Sequence, residues 1–358
     1  MSGPHRAVNE ARNSLRRAFT DLSPGTRVIL AVSGGADSLA MALAAHYATR
    51  WTGIQLSALH IDHGLRPESA HEATHVLQQL AEIGIDAESV KVEVSGSAGP
   101  EGNARTARYG ALATRARELA NPAGVPATVA LGHTAADQAE TVLMGLARGS
   151  GARSISGMRE RGSLPEHPDV PMIRPLLEHS RQDLETVCRE LGYSWIRDPS
   201  NEPHGPWRAA DGSPLRRAAV RAHALPALQE ALGPGVVDAL ARTATLLQDD
   251  DDALSAIAQD VFSAVAVKPS GEPKTREGTQ TGPALDCRAL ATHPPAVRRR
   301  VLKLAMDHVG VRGGELKYWH VVRLDKLVES RDNKLGIDLP GARAWRVDNI
   351  LYFAHRAS

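Results

Sequence analysis

The chain opens with apolar residues at helical spacing and then alternates between short apolar runs and longer amphipathic stretches. The first stretch, residues 8–22, predicts a helix that ends at the turn Ser23-Pro24-Gly25. The short runs predict strands at 27–32, 55–61, 89–94 and 128–131. The stretches between and after them predict helices at 38–50, 67–83, 103–119 and 135–147. This alternation indicates an α/β fold with helices on both faces of a parallel sheet, whose ligands bind at the carboxyl ends of the strands.

Beyond residue 215 the pattern becomes helical and then mixed. Helices are predicted at 215–232, 236–265, 295–309 and 316–330. Segment 268–283, rich in Pro, Gly and Thr, predicts a flexible linker. A hairpin is predicted to pair 344–347 with 350–354. We therefore expect an α/β domain at 1–215, a helical domain at 216–267, a linker at 268–284 and a small α+β part at 285–358.

The composition is that of a globular protein. Hydrophobic residues make up 42% of the 358 positions and charged residues 23%, which excludes a disordered or coiled-coil chain. No apolar run reaches the roughly 18 residues of a membrane-spanning helix, and the arginine-rich start does not resemble a secretory signal. Cys188 and Cys287 are too few and too far apart for a disulfide framework or a zinc site. We expect a cytoplasmic protein without a membrane partner.

The net charge of +1 conceals an uneven distribution of charge along the chain. Residues 285–358 carry 14 Lys and Arg against 8 Asp and Glu, whereas the remainder carries 28 against 33. A basic end on a mildly acidic body is expected where one part of a protein binds a polyanion, although most such surpluses are solvated surface. The basic C-terminal part is therefore a candidate site for nucleic acid.

A glycine-rich turn follows the first predicted strand. Its sequence, Ser33-Gly34-Gly35-Ala36-Asp37-Ser38, lets backbone N–H groups close around an anion at a helix N-terminus, which favours phosphate groups. The Gly-x-x-x-x-Gly-Lys pattern of a Walker A loop is missing, and Asp37 would instead suit Mg²⁺ shared with a polyphosphate. The alternative is a glycine turn with an N-capping serine.

Polar residues also follow the second and fourth predicted strands. His60, Asp62 and Arg66 would face a nucleotide, although they would equally serve as a polar strand end, and no complete zinc ligand set surrounds His60. Asp137 and Glu140 lie three residues apart at the start of a helix. They form either a seat for a cationic group or a pair of acids that complements the helix dipole.

Seven motifs occur in a fixed order. They are SGGADS (33–38), HIDHGLR (60–66), ARTARY (104–109), GHTAADQAET (132–141), RGSG (148–151), RPLL (174–177) and DPSN (198–201). With this set, residues 28–228 resemble the tRNA(Ile)-lysidine synthetase family of PP-loop ATP pyrophosphatases. The resemblance implies a Rossmann-like PP-loop domain, then a helical domain and, in longer members, a further C-terminal domain.

The resemblance also implies a reaction and its residues. ATP adenylates the C2 carbonyl oxygen of the wobble cytidine in the CAU anticodon of tRNA(Ile), and the ε-amine of free L-lysine then displaces AMP. The residues implied for ATP are Ser33, Gly34, Gly35, Asp37, Ser38 and His60, with Mg²⁺ on Asp37. The residues implied for catalysis are Asp37, Arg105, Arg108 and His133. Asp137 and Glu140 match the positions for lysine. For tRNA we expect contacts from Arg148, Arg153, Arg217, Arg221, Arg298, Arg299 and Arg300.

The chain departs from the family pattern in two places. Ala136 stands where the family has the first of two consecutive acids, and an insertion at about 202–214 follows DPSN, with Ala218 at the position of an asparagine. Two alternatives stay open, a non-catalytic tRNA- or nucleotide-binding protein and another PP-loop tRNA-modifying enzyme. A thiolase is disfavoured because the chain lacks paired cysteines. The oligomeric state is open, with a homodimer as one option.

Overall fold

A computed structural model describes residues 3–64, 69–96, 99–149, 151–197, 215–267, 281–311, 316–330 and 336–355. The chain divides into two compact units, residues 1–149 with 154–245 and residues 150–153 with 246–358. Arg66, the DPSN motif, the insertion at 202–214 and most of the predicted linker lie outside the described residues. The domain boundaries expected from the sequence stay predictions.

Up to residue 190 the chain alternates between helices and strands. The elements are α1 (Arg6–Thr20), β1 (Arg27–Ala31), α2 (Ala36–Thr52), β2 (Gln55–Asp62), α3 (Ser69–Ile83), β3 (Asp86–Lys91), α4 (Gly99–Glu118), β4 (Thr128–Leu131), α5 (Ala135–Arg148), α6 (Ala152–Ile155), β5 (Arg161–Leu164), β6 (His167–Ile173) and α7 (Arg181–Glu190). A helical region follows, with α8 (Arg216–Ala219), a π-helical turn (Val220–Ala224), α9 (Leu225–Leu232) and α10 (Val236–Val265).

The six strands of the first unit form one sheet in the order β3-β2-β1-β4-β6-β5. All neighbours are parallel except the edge strand β5, which runs antiparallel to β6. β1 lies between β2 and β4, so the strand order reverses beside β1 and opens a crevice at the carboxyl ends of β1 and β4. Open α/β sheets bind ligands at such a point. The predicted parallel α/β fold is confirmed.

Alternate residues of β1 enter two separate cores. Val28 and Leu30 pack in a cluster with buried residues of α1, α2 and α7. Ile29, which points to the opposite face because strand side chains alternate, packs in a cluster with Tyr109 of α4 and Val129 of β4. Helices therefore cover both faces of the sheet, and burial on both sides explains why β1 and β4 are apolar after their first residues, Arg27 and Thr128.

The described part of the second unit contains a five-stranded antiparallel sheet, the C-terminal part of α10 and three further helices. Its elements are β7 (Ala266–Val267), β8 (Thr281–Asp286), α11 (Cys287–Ala291), α12 (Pro295–His308), α13 (Tyr318–Glu329), β9 (Gly336–Leu339), β10 (Ala342–Val347) and β11 (Ile350–His355). The sheet order is β7-β8-β11-β10-β9. The predicted hairpin is confirmed, because Val347 pairs with Ile350 across a turn in which Asp348 has a φ of 51°.

Three features of the fold differ from the sequence prediction. β3 begins at Asp86 rather than 89, because this edge strand pairs through its backbone and tolerates polar side chains. β5 and β6 form a hairpin where no strand was predicted. β8 begins at Thr281, inside the predicted linker, where it pairs with β11. No helix in the described part of the chain is long and apolar enough to cross a membrane.

Candidate active site

The turn after β1 is a compact loop held together by two serines. The Ser33 N–H donates to Ser38 Oγ over 3.1 Å, and the Ser38 hydroxyl donates to the Gly35 carbonyl over 3.0 Å. Gly34 has a φ of +84°, and a Cβ there would lie 2.6 Å from Val76 Cγ2. Among the residues that the structure describes, no side chain caps the N-terminus of α2. Its first N–H groups are therefore available to an anion such as a phosphate.

Asp37 lies in the first turn of α2 with an unsatisfied carboxylate oxygen. Burial, and secondarily the charge of Asp137, raises the pKa of Asp37 to about 6. Within the described residues, Asp37 Oδ1 is buried and has no hydrogen-bond partner. No group of three or more His, Cys, Asp or Glu side chains that could hold a metal by itself occurs there either. A single carboxylate fits Mg²⁺ that is shared with a polyphosphate, since Mg²⁺ completes its shell with phosphate oxygens and water.

The loops after β1 and β4 touch each other at the crevice. A Cβ on Gly132 would lie 3.2 Å from Ser38 Cα and 3.3 Å from the Asp37 carbonyl oxygen, so only glycine permits this approach without displacement. His60, predicted to contact ATP, is buried at the end of β2, and its Nδ1 lies 2.9 Å from the Val32 carbonyl. This hydrogen bond supports the end of β1.

His133, which follows Gly132, is held by a buried arginine. Arg174 Nε donates to His133 Nδ1 over 3.0 Å, and Arg174 Nη1 donates to the Arg159 carbonyl over 2.8 Å. Burial and the charges of nearby arginines hold the pKa of His133 far below its ordinary value. Because Nδ1 accepts a hydrogen bond, the neutral imidazole carries its proton on Nε2. His133 is therefore a hydrogen-bond donor at this edge.

The two predicted arginines of α4 flank a buried tyrosine. The guanidinium carbons of Arg105 and Arg108 lie 4.9 Å and 5.2 Å from the centre of the Tyr109 ring. Burial lowers the pKa of Arg105, as do the nearby charges of Arg217 and Arg108. Within the described residues, Arg108 Nε is buried without a hydrogen-bond partner. Together with His133, these two arginines present several hydrogen-bond donors and two positive charges, which would attract phosphates.

Asp137 caps the helix that carries it. Its Oδ2 accepts the Thr134 N–H over 2.9 Å and the Thr134 hydroxyl over 3.0 Å, which makes a capping box. Its Oδ1 lies 3.4 Å from Arg221 Nη2. Burial alone would raise the pKa of Asp137, but His133, the Thr134 N–H and Arg221 outweigh it, and the pKa is depressed. Asp137 therefore stays ionised. It acts at the N-terminus of α5 and contacts the cation of Arg221, and its contact with lysine stays a prediction.

Glu140 is completely buried and also contacts arginines of the helical region. Its Oε1 accepts the Arg221 Nε–H over 2.6 Å, whereas its Oε2 lies 3.8 Å from Arg217 Nε. Oε2 accepts no hydrogen bond from any residue that the structure describes. Burial raises the pKa of Glu140, against the hydrogen bond from Arg221. The acids of the predicted lysine site thus already contact two internal cations, Arg221 and Arg217, and lysine binding there stays a prediction.

The arginines predicted to contact tRNA fall into three groups. Arg217 and Arg221 contact Glu140 of the predicted lysine site, and their contact with tRNA stays a prediction. Arg148 and Arg153 are exposed. In the second unit Arg298 is buried, and it donates to Asp325 over 2.8 Å and to Glu329 over 2.6 Å. Arg299 pairs with Asp325 over 2.9 Å and Arg300 with Asp251 over 2.7 Å. All three arginines of 298–300 therefore pair with acids of their own unit, and their contact with tRNA stays a prediction.

Two residues support the site in ways that the sequence motifs do not indicate. Arg174 appears there only as the first letter of the RPLL motif, although it fixes the His133 ring. Gln138 holds a loop at Met158, because its amide donates to the Met158 carbonyl over 2.8 Å and accepts the Met158 N–H over 2.6 Å. In the sequence, both residues lie within the ordered motifs. A position in a motif does not indicate which residue a side chain contacts.

Both cysteines are unsuited to sulfur transfer. Cys188 and Cys287 are buried free thiols. Burial raises the pKa of Cys188 to about 12 and that of Cys287 to about 11. Because the thiolate is the nucleophile and the metal ligand, neither residue is activated for such chemistry.

Comparisons with known proteins agree with this geometry. A family model described as a PP-loop domain matches residues 8–223, and one described as the TilS substrate binding domain matches residues 285–352. The tRNA(Ile)-lysidine synthase of Thermobifida fusca is 40% identical over 97% of each chain. That of Streptomyces coelicolor is 38% identical over 95% of each chain. A solved structure of the U34-tRNA thiolase NcsA from Methanococcus maripaludis, 19% identical, matches with a TM-score of 0.52 over 68% of this chain and 80% of that chain, which shows a shared fold.

Proposed function

The chain belongs to the tRNA(Ile)-lysidine synthase family, and we propose that it ligates L-lysine to the wobble cytidine of tRNA(Ile) with a CAU anticodon. In the first step the C2 carbonyl oxygen of the cytidine attacks the α-phosphorus of ATP, and pyrophosphate leaves. In the second step the lysine ε-amine forms a bond to C2, the C2–O bond breaks, AMP leaves and the amine gives up a proton. Adenylation is needed because the urea-like oxygen at C2 is otherwise a poor leaving group.

One observation carries this proposal. Two buried carboxylate oxygens, Asp37 Oδ1 and Glu140 Oε2, lack a hydrogen-bond partner among the described residues, and they lie near the N-termini of adjoining helices, α2 and α5. Buried charged acceptors are rarely left unpaired without a functional reason. A metal–triphosphate complex satisfies the first oxygen, and an ammonium group satisfies the second. ATP and lysine together fit this pair.

The phosphates would lie between the glycine loop and the two arginines of α4. The N–H groups of the loop at 33–38 bind one face of the triphosphate. Arg105 and Arg108 offset its negative charge, and His133 donates its Nε2–H to an oxygen that gains charge as pyrophosphate leaves. Mg²⁺ on Asp37, when bound, withdraws charge from the phosphate oxygens. His60 stays at the end of β2, where it supports the loop that carries these groups.

The lysine ammonium would bind at Glu140 Oε2 and Asp137 Oδ1. With an ordinary pKa of about 10.4, forming the neutral amine at pH 7 requires roughly 4.6 kcal/mol before attack. The two acids fix the position of the side chain, so that the amine reaches C2 in an oriented encounter. Arg221 pairs with Glu140 Oε1 and Asp137 Oδ1, and Arg217 lies 3.8 Å from Glu140 Oε2, so a bound lysine would share these acids with the two arginines or displace them. Because the proposed substrate is tRNA, we expect the protein to act in the cytoplasm.

The partial reactions test this function. We expect pyrophosphate release from ATP with tRNA(Ile) bearing a CAU anticodon, and we expect AMP release to require lysine. A protein that only binds tRNA or nucleotide would release no pyrophosphate. A different PP-loop tRNA-modifying enzyme would release pyrophosphate but attach no lysine.

A further inference from the structure

The first turn of α13 exposes two large aromatic side chains. Tyr318 and Trp319 have 70% and 47% of their surface accessible to solvent. Aromatic side chains carry large apolar area and usually contribute it to a core or an interface. Two adjacent exposed rings at a helix start are a larger apolar surface than a single scattered residue. They suggest that a partner covers them.

The Trp319 ring is held in position before any partner arrives. The centre of its ring lies 3.6 Å from that of His320, which is buried and accepts the Lys317 N–H at Nδ1 over 3.0 Å. The Arg323 guanidinium carbon lies 5.8 Å from the centre of the Trp319 ring. A ring that is already fixed loses little conformational entropy on binding.

The helix beneath the rings is also anchored. Val321 and Leu324 are buried in the core of the second unit. Arg346 donates from Nη1 to the Leu327 carbonyl over 2.8 Å and to the Val328 carbonyl over 2.9 Å, which satisfies the C-terminal end of α13. The exposed face of α13 is therefore a rigid platform.

This exposed face is positively charged. Lys317, Arg323 and Lys326 are all exposed along it. Within the described residues, the acids of α13 are Asp325 and Glu329; Arg298 pairs with both, and Arg299 also pairs with Asp325. Two of the arginines predicted to bind tRNA, Arg298 and Arg299, thus offset the negative charge of α13, and its outer face stays basic. Aromatic rings beside positively charged side chains favour a polyanion with flat groups on which the rings can stack.

We propose that the exposed face of α13 binds an unpaired base of the substrate RNA. The base stacks on Trp319 and Tyr318, while Lys317, Arg323 and Lys326 contact the neighbouring phosphates. Stacking of this kind requires a base that has left its own helix, as in tRNA loops and at the 3′ end. The inference rests on the proposed function, because it takes tRNA as the RNA that the protein meets.

The test compares two exposed tryptophans in the full-length protein. Affinity is measured for tRNA(Ile) with a CAU anticodon and for a blunt RNA duplex of similar length. We expect Trp319→Ala to weaken tRNA binding roughly 5- to 150-fold, which corresponds to the loss of one stacked base, and to leave duplex binding unchanged. Trp319→Phe should retain most of the affinity. The control Trp51→Ala removes a ring that is 57% exposed at the end of α2 and should change neither affinity.

A second variant tests the phosphate contacts. Arg323→Met should weaken binding to tRNA and reduce the dependence of log affinity on log salt concentration by about one counterion. Equal affinity of wild type and Trp319→Ala for tRNA would overturn the proposal, as would an equal loss for the duplex. A loss of self-association in Trp319→Ala with unchanged tRNA affinity would assign the surface to a second protein and also overturn it.

The test of RNA binding by α13 can fail or succeed independently of the test of the proposed function. Lysine transfer at saturating tRNA should proceed at the wild-type rate in Trp319→Ala, because the reacting groups lie in the other unit. If wild type attached no lysine, the proposed function would fail, yet the two tryptophan variants would still report where RNA binds.

Discussion

Arg174 Nε donates a hydrogen bond to His133 Nδ1 over 3.0 Å, so a buried guanidinium determines which nitrogen of the imidazole carries the proton. A histidine that accepts from a cation at one nitrogen presents an N–H at the other. The arrangement suits a neutral donor to a phosphate oxygen and does not suit a general base. It connects the RPLL motif, which lies at the end of β6, to the GHTAADQAET motif after β4.

We expect Arg174→Met to release His133 from this state. Loss of the adjacent positive charge should move the pKa of His133 upward, toward the ordinary value near 6.5, in an NMR titration of the ring. Loss of a hydrogen bond to a charged group, worth about 1.5–3 kcal/mol, should slow pyrophosphate release roughly 10- to 150-fold. The control is Arg161→Met, which removes contacts to Ala18 and Asp21 remote from His133. An unchanged pKa of His133 in Arg174→Met would refute the positioning role.

Asp37→Asn should stabilise the ligand-free protein while it abolishes activity. The pKa of Asp37 is raised from 3.8 to about 6, so the folded state holds this proton more tightly than the unfolded state. Stability that Asp37 contributes in its protonated form is consequently lost as pH rises from about 4 to 6, by roughly 3 kcal/mol in total. Asparagine cannot ionise. The variant should gain stability over wild type as pH increases, measured by urea unfolding at pH 4.5 and pH 8 without Mg²⁺.

Metal binding can also be compared between wild type and Asp37→Asn. Binding of Mn²⁺ as a probe for Mg²⁺, in the presence of ATP, should weaken in Asp37→Asn. A stability difference that is constant across pH would show that the carboxyl of Asp37 is not perturbed by burial.

Glu140→Gln should separate the two half-reactions. The amide keeps the shape of the side chain but loses the charge that the lysine ammonium would meet at Oε2. We expect pyrophosphate release with tRNA and ATP to persist, and the KM for lysine to rise at least about tenfold, since each 1.4 kcal/mol of lost interaction changes affinity by a factor of ten. Asp169→Asn is the matched control, because Asp169 pairs with Arg117 on the surface over 2.7 Å. Equal loss of both half-reactions in Glu140→Gln would contradict a seat reserved for lysine.

Arg298→Met should destabilise the second unit rather than abolish RNA binding. Arg298 and Asp325 are both buried, and removal of one partner from a buried ion pair costs about 3–5 kcal/mol. Here Arg299 still pairs with Asp325, so the loss should fall at the lower end. Thermal unfolding measures it. An unchanged melting temperature with strongly weakened tRNA binding would restore the interpretation of Arg298 as a direct contact.

Much of the first unit could be predicted because its strands are short apolar runs between amphipathic helices. β1 and β4 are buried on both faces, so every position after their first residue is apolar and the pattern is clear. β6 was missed because Pro168 and Pro171 interrupt it, which argues against a strand unless tertiary pairing overrides the local preference. β8 was missed because Gly282 and Pro283 resemble the linker before them.

The residues of the candidate site could be predicted from the sequence, but the contacts between their side chains could not. Loops after parallel strands meet at one sheet edge, so the convergence of Asp37, His133 and Asp137 follows from the fold class. The contact between Arg221 and Glu140 joins residues 81 positions apart, and nothing in local spacing indicates it. Arg221 also lies in a π-helical turn, a feature that is common at functional sites but has no clear sequence pattern.

The mass of the tRNA after reaction tests the central claim most directly. Purified tRNA(Ile) with a CAU anticodon is incubated with the protein, ATP, Mg²⁺ and lysine, and the anticodon fragment is weighed by mass spectrometry. The account predicts a gain equal to lysine minus water on the wobble cytidine, absent when lysine is omitted and absent with Asp37→Asn. An unmodified cytidine after complete pyrophosphate release, or no pyrophosphate release from active wild-type protein, would contradict it.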